Sequence, residues 1–341
     1  MTSSQYRIRL AGSEVTFACA ADDTLLRAGQ RAGLGFPYEC NVGSCGTCRF
    51  ELVEGEVQVQ WEEAPGLKEN DRKRNRYLGC QTRPLGDCAI KVRLGERYAP
   101  PHRPQRFNAV LERSRPLTHD MSEFRFVLDA PRGFEPGQYA LAYLPGVTGA
   151  RAYSMSNTAA DGRIWEFVVR RTPGGAGSNA LFDQLPAGQS IVVDGPYGMA
   201  WLRRDAPRDI LCLAGGSGLA PMLSIARGAM AEPQLAGREL HFLYGGRTPA
   251  DVCGQDLLQE LPGWGERLRY HPAISPLPGG SSEGWPGDVG YLHEVALERF
   301  GARLPEFEIY FAGPPAMALA VQRMLVDAKV PSGQVHFDQF Y

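Results

Sequence analysis

Four cysteines, Cys40, Cys45, Cys48 and Cys80, constrain this chain more than any other feature of it. They follow C-x4-C-x2-C with a distant fourth, the spacing that holds a [2Fe–2S] cluster. Three thiolates from one short loop meet a single iron pair only if the backbone curls tightly around it. The loop reads Tyr38-Glu39-Cys40-Asn41-Val42-Gly43-Ser44-Cys45-Gly46-Thr47-Cys48, and Gly43 and Gly46 permit that curl because glycine tolerates positive φ. Amides aimed at the sulfurs would stabilise the cluster's negative charge and tune its potential. A zinc ribbon would want a second C-x2-C pair, whereas Cys80 stands alone. A lone redox C-x2-C pair is the weaker reading, because several independent spacings agree. Such a cluster passes one electron at a time, so the rest of the chain must show where electrons enter.

At 341 residues the chain is long enough for two or three domains. A 43% hydrophobic and 22% charged composition with a formal charge of −2 is globular, and gives no reason to invoke nucleic acid or an anionic membrane. The remaining cysteines, Cys19, Cys88, Cys212 and Cys253, read as reduced thiols, the first three in strand-like or apolar runs. Met1 to Leu10 lacks the apolar core of a signal peptide. The uncharged span Ile210 to Ala226 carries Gly215-Gly216-Ser217-Gly218 in its middle, which fits strand, turn and helix better than a membrane helix. The expectation is a soluble, cytoplasmic, monomeric protein.

Three segments follow one another. In residues 1–97, Gln5–Leu10 and Val15–Cys19 predict a hairpin, Asp22 or Asp23 caps a short helix, and Arg49–Val53 with Glu56–Gln60 predicts a second hairpin around Glu54-Gly55. Ala89–Leu94 adds a last strand. This order resembles the β-grasp fold of plant-type ferredoxins. Residues 98–104, rich in proline, read as a stiff linker. Residues 105–204 carry evenly spaced short strands broken by Pro and Gly, the pattern of a small antiparallel β-barrel. Residues 205–341 alternate strands such as Ile210–Ala214 and Glu308–Ala312 with helices at Leu219–Met230 and Ala316–Lys329, predicting a doubly wound parallel sheet. The fold class is therefore multidomain, α+β followed by α/β.

Four motifs recur in order along the last two segments. Arg151-Ala152-Tyr153-Ser154 is the first. Gly175-Ala176-Gly177-Ser178 precedes a predicted helix at Asn179–Leu185, where helix N-terminal amides suit a pyrophosphate. Gly215-Gly216-Ser217-Gly218-Leu219-Ala220-Pro221 follows an apolar strand and opens a helix. Gly313-Pro314-Pro315-Ala316-Met317 follows the strand ending at Ala312. Together with the Pro136-Gly137-Gln138-Tyr139 turn, these motifs resemble the ferredoxin–NADP reductase superfamily. With the cysteine loop in front, the whole chain resembles the fused ferredoxin–flavin–nicotinamide reductases of bacterial multicomponent oxygenases.

That resemblance implies FAD, NADH and a [2Fe–2S] cluster as cofactors, and a terminal oxygenase or separate ferredoxin as partner. It implies that Arg151 pairs with flavin phosphate, that Tyr153 packs on the flavin and that Ser154 bonds the reactive edge of its ring. Gly175, Gly177 and Ser178 would form the pyrophosphate loop. Gly215, Gly216, Ser217, Gly218, Pro221, Gly313, Pro314 and Met317 would hold the nicotinamide side, with Ala312 where relatives carry a cysteine. The tail His336-Phe337-Asp338-Gln339-Phe340-Tyr341 resembles the family's C-terminal motif, with Asp338 in place of glutamate as a second catalytic candidate beside Ser154 and an aromatic that covers the flavin. Arg247 would meet either a 2′-phosphate or the adenosine of NADH, and Asp251 would repel the phosphate, which favours NADH.

The physical logic agrees: nicotinamide donates a hydride, the cluster takes single electrons, and a flavin converts between the two. No nucleophile, acid–base pair or oxygen-activating metal site is evident, so the organic substrate is expected to be oxidised elsewhere. The small residues of the Cys40–Cys48 loop predict an exposed electron exit. The run Lys68 to Arg76 reads as a solvated helix face, with docking of an acidic partner as the alternative. Rival readings are a reductase serving a deoxysugar-forming dehydratase and a redox-sensing regulator.

Overall fold

The computed structural model describes residues 4–276 and 284–338. The first five-stranded sheet has the order Thr16–Ala20, Gln5–Leu10, Cys88–Lys91, Arg49–Glu54, Arg76–Leu78. Gln5–Leu10 runs antiparallel to Thr16–Ala20 and parallel to Cys88–Lys91, which places the first and last of these strands side by side. Helix Leu25–Arg31 buries Leu25, Leu26 and Ala28 in a core with Ile8, Phe17 and Phe50. The architecture is the β-grasp predicted from the order of elements.

Two local expectations fail. The second hairpin does not form: Leu52 and Glu54 pair with Ile90 and Ala89, while Val57–Val59 turns away to pair with Thr82–Pro84. Gly55, at φ +93°, passes so close to the last strand that a Cβ would stand 2.6 Å from the Asp87 carbonyl oxygen. The incoming strand occupies the edge that a hairpin partner would need, so long-range pairing overrides the local turn signal. The helix is also capped differently. Thr24 occupies the N-cap position without a side-chain bond to the helix, and Asp23 accepts from the Thr24 amide at 2.8 Å as well as from arginines.

The second sheet is six-stranded and antiparallel, in the order Arg151–Ser154, Tyr139–Tyr143, Ser190–Tyr197, Gln105–Pro116, Met121–Leu128, Ile164–Arg170. A Met155–Phe167 bridge and the Ser156 amide donating to the Glu166 carbonyl at 2.7 Å join its two edges and close the barrel. Burial alternates along Gln105–Pro116, as it does when one strand face meets a core. That core holds Phe107, Phe124, Phe126, Phe134 and Trp165.

The third sheet is parallel throughout, in the order Asp288–Val289, Leu268–Ile274, Leu240–Gly246, Asp209–Gly215, Phe307–Ala312, Val335–His336. Its central strands are buried along nearly their whole length because helices cover both faces. Helix Leu219–Ala231 packs on one side and helices Leu292–Phe300 and Pro315–Asp327 on the other. Strand order reverses between Asp209–Gly215 and Phe307–Ala312, and a crevice at such a reversal is where open α/β sheets bind ligands. No helix among the described residues is long and apolar enough to cross a membrane.

The β-grasp sheet and the barrel are joined by a buried ionic cluster. Asp194, wholly buried, accepts from Arg31 Nη1 and Nη2 at 2.9 and 2.7 Å and from the Tyr197 hydroxyl at 2.8 Å. Arg31 also pairs with Asp23 at 2.8 Å, and Arg106 of the barrel reaches Asp22 and Asp23 at 2.8 and 2.9 Å. Burial works against the charge on Asp194, but Arg31, with Arg27 and Arg106, holds its carboxyl below the usual range. The proline-rich stretch is tied down as well: Gln30 donates to the Tyr98 carbonyl at 3.1 Å and His102 meets Glu135 at 3.0 Å.

Replacing Arg31 by Met leaves Asp194 buried with the Tyr197 hydroxyl and, as its one direct cationic contact, the longer 3.4 Å approach of Arg106. Stranding a buried charge costs on the order of 3 kcal/mol. Urea unfolding followed by fluorescence is expected to show a loss of that size, and a loss within experimental error would overturn the assignment.

Candidate functional site

The cysteine loop places sulfur and amides together as the spacing requires. Cys48 Sγ and Cys80 Sγ lie 3.3 Å apart, and all four loop and distal thiols are free of disulfides. Cys40 Sγ accepts from the amides of Val42, Ser44 and Cys45 at 3.5, 3.3 and 3.3 Å, and Cys45 Sγ accepts from Thr47 at 3.5 Å. A hydrogen bond from Cys40 holds the Cys45 thiol below its usual range, and Cys40 is pushed up in turn. Gly46, at φ +77°, has no room for a Cβ, which would stand 2.6 Å from the Gly66 carbonyl. Four thiols, two of them met by loop amides, fit an anionic iron–sulfur cluster.

The loop is less exposed than its small residues imply. Asn41, at φ 55°, is wholly buried, and the half-buried Ser44, Cys45 and Thr47 form the accessible edge. Asn41 is held by Arg27, whose Nε and Nη2 donate to Asn41 Oδ1 and its carbonyl at 3.1 Å each. Arg27 Nη1 also donates to the Tyr143 hydroxyl of the barrel at 3.0 Å. Sequence reasoning missed Arg27. The available signal was an arginine on the apolar face of Leu25-Leu26-Arg27-Ala28, which needs buried acceptors.

A cavity of about 630 Å³ opens between the barrel and the parallel sheet. Arg151, Tyr153 and Ser154 line it from a barrel-edge strand, opposite Gly175, Gly177 and Ser178. Gly177 is the keystone of this wall: a Cβ there would stand 2.8 Å from Arg151 Cγ and 3.0 Å from the Tyr153 hydroxyl. The Ser178 hydroxyl accepts from the Thr172 amide at 3.0 Å and donates to the Gly175 carbonyl at 3.1 Å, so it shapes the loop from within. The helix predicted over Asn179–Leu185 starts earlier, as one α-turn at Ala176–Asn179 that widens over Ala180–Gln184.

Asp338 closes the other end. It accepts from the Met199 amide at 2.9 Å, and burial pushes its carboxyl up to about 7. Phe337 stacks on Phe311 with centroids 4.5 Å apart. Gln339, Phe340 and Tyr341, which include the other aromatic candidates for covering a flavin, lie outside the described residues. The same wall abuts the cysteine loop: the Tyr139 hydroxyl donates to the Glu39 carbonyl at 2.6 Å, and the Gly198 amide donates to the Tyr38 hydroxyl at 3.0 Å.

A second cavity, about 690 Å³, shares Gly215, Gly216, Pro314 and Arg170 with the first. Gly215–Gly218 and Gly313-Pro314 stand at the strand ends flanking the order reversal. A Cβ on Gly218 would collide with the Ala312 carbonyl, and Met317 fills the space that side chains on Gly215 and Gly313 would need. Met317 also lines the second cavity, whereas Ser217 and Pro221 line the first. Arg247 is exposed at the rim of the second cavity. Asp251 also lines it, but accepts from the Thr248 amide and hydroxyl at 2.9 Å each and stands 3.7 Å from Arg170. Its charge is thus partly compensated, a restraint on the repulsion expected of it. Arg170, bonded to Asp120 at 2.6 Å, is a further residue that the sequence reading left out of the site. Its place beside the glycine loop was the available clue.

Comparison with known proteins divides the chain into three domains. Residues 8–85 match the family of 2Fe-2S iron-sulfur cluster binding domains, 108–201 the oxidoreductase FAD-binding domain and 212–323 the oxidoreductase NAD-binding domain. The ferredoxin–NAD(P)+ reductase CarAd of Metapseudomonas resinovorans is 39% identical, over 98% of this chain and 100% of the relative. The chain belongs to the ferredoxin–NAD(P)+ reductases with fused iron–sulfur, FAD and NAD domains. The ferredoxin–NAD+ reductase component of the Xanthobacter autotrophicus alkene monooxygenase system is 38% identical over 95% of this chain and 98% of the relative. A solved ferredoxin reductase in carbazole 1,9a-dioxygenase superposes with a TM-score of 0.91 at 35% identity, covering 99% of both chains. FAD, NAD and a [2Fe–2S] cluster are accordingly the cofactors of this reductase.

Gly177→Ala is expected to force Arg151 and Tyr153 out of the cavity wall and to lower retained FAD at least several-fold after dialysis, with iron content unchanged. Full flavin occupancy in this variant would show that the wall does not hold the cofactor.

Proposed function

We infer that this reductase takes electrons from NADH and delivers them to the oxygenase component, or an intervening ferredoxin, of an aromatic-compound dioxygenase or monooxygenase system. One observation carries the reading: the two cavities meet at Gly215-Gly216, and Glu39 and Tyr38 of the cysteine loop bond to Tyr139 and Gly198, which stand beside Ser154 and Asp338 of the first cavity. The named relatives, which serve carbazole dioxygenase and alkene monooxygenase systems, support the oxygenase partner. Bound FAD supplies the conversion of a two-electron hydride into single electrons that a [2Fe–2S] centre accepts.

The chain's own residues do the positioning. Arg151 and the amides of Gly175–Ser178 bind the anionic part of FAD, while Tyr153 and Ser154 orient its ring. The glycines at 215, 216, 218 and 313 let the nicotinamide nucleotide approach the strand ends. Asp338, whose carboxyl is pushed up to about 7 by burial, can hold a proton at the cavity's edge. Cys40, Cys45, Cys48 and Cys80 ligate the cluster, and the Ser44–Thr47 edge presents it to the partner. The reductase works as a monomer in the cytoplasm, in keeping with the reading of its sequence.

Cys45→Ser tests the division of labour. NADH-driven ferricyanide reduction is expected to stay within about two-fold of wild type while cytochrome c reduction falls more than ten-fold. Joint loss of both activities would overturn it.

NADH is the preferred donor in this reading, because Asp251 lines the nucleotide cavity and disfavours an added dianion. kcat/KM is expected to be at least ten-fold higher for NADH than for NADPH, and Asp251→Ala should narrow the ratio a few-fold. Equal or better use of NADPH would overturn the preference, and an unchanged ratio in the variant would overturn its explanation.

A further inference from the structure

Asn41, next to Cys40 in the cysteine loop, carries a buried hydrogen-bond donor without an acceptor. The side chain is wholly buried, and its Nδ2 has no hydrogen-bond partner among the described residues. Its orientation is fixed, because Arg27 Nε donates to Oδ1 at 3.1 Å and a guanidinium could not bond the amide nitrogen instead. Arg27 further holds the Asn41 carbonyl at 3.1 Å, which secures the residue at φ 55°. A buried amide donor left without an acceptor is costly, and the group that this loop is built to hold is rich in sulfur acceptors.

We propose that the Asn41 carboxamide donates a hydrogen bond from Nδ2 to a sulfur of the cluster and thereby raises its reduction potential, with Arg27 as the positioning residue that fixes the carboxamide. This rests on the cluster assignment above and deepens it. A donor to sulfur favours the reduced form, because reduction adds a negative charge to the cluster and strengthens the bond. The Arg27 bond to Tyr143 attaches the device to the strand that pairs with Arg151–Ser154. The same side chain therefore spans the cluster loop and the flavin barrel.

The test uses the full-length reductase, with iron and acid-labile sulfide measured first, so that failure of cluster assignment is seen separately. Wild-type protein labelled with 15N at asparagine Nδ2 by cell-free synthesis is reduced and studied by pulsed EPR. A coupling from one side-chain amide nitrogen is expected, and its absence overturns the proposal even where variants fail to assemble. EPR-monitored redox titration then compares variants. Asn41→Gly, which tolerates the positive φ, is expected to shift the reduced-to-oxidised ratio about ten-fold toward oxidised, about 59 mV for a one-electron couple. Arg27→Gln should weaken the nitrogen coupling, and Arg27→Lys should restore part of it. An assembled Asn41→Gly cluster at the wild-type potential overturns the proposal.

Discussion

The buried carboxylate of Asp194 aligns the electron-transfer half of this molecule. A cluster and a flavin exchange electrons only when their separation is fixed, and here the two lie in separately folded sheets. Arg31 comes from the β-grasp helix and Asp194 from the barrel, while Arg106 answers with bonds to Asp22 and Asp23. A buried ion pair adds little net stability over apolar packing of the same volume, because both charges lose water. What it adds here is register: a bidentate guanidinium with two acceptors in different sheets admits few relative orientations. Apolar packing completes the joint, since Tyr139, Leu141 and Tyr197 of the barrel share a core with Phe36 and Tyr38 beside the cysteine loop.

A second constraint, the absence of Cβ atoms, shapes the nucleotide side. Gly218 lies against the Ala312 carbonyl and Met317 fits between Gly215 and Gly313, so the two strand ends meet closely at the reversal of the sheet. This proximity joins the two cavities. Hydride transfer demands that nicotinamide and flavin rings meet, and a shared rim at Gly215-Gly216 is the geometry that allows it. The replacement of a thiol by Ala312 does not disturb this, because the backbone carbonyl of residue 312 makes the contact with the loop.

Local backbone constraints were legible in the sequence, and long-range side-chain partnerships were not. The cysteine spacing and the glycine loops could be read because each depends on a few consecutive residues and on conformations that only certain residues reach. Arg27 with Tyr143 and Arg31 with Asp194 are separated by 116 and 163 positions, and nothing in either neighbourhood names the other. The failed hairpin at Gly55 has the same origin. Glu54-Gly55 is a sound turn signal, yet the strand at Cys88–Lys91 claims the edge first. Asn41 shows the limit most clearly, since a small polar residue in a glycine-rich loop reads as exposed until a buried arginine is found holding it.

The same partnerships change the reading of the surface. The run from Lys68 to Arg76 is basic in sequence, but Asp71 takes Arg49 at 3.1 Å and Arg76 at 3.8 Å, Lys73 meets Glu69 at 2.8 Å and Arg72 meets Glu62 at 3.6 Å. Exposed pairs of this kind contribute little energy and are screened by salt, and they offset part of the local field that would steer an acidic partner. These pairs favour the solvated-face reading of the run over docking of an acidic partner. In the function proposed above, orientation at the electron exit rests on short-range fit around the half-buried Cys45, where Ser44, Thr47 and the partly exposed Trp61 beside Gly43 form the rim. Rigidity at that rim traces back to Arg27, and through Tyr143 to the barrel that Asp194 keeps in register.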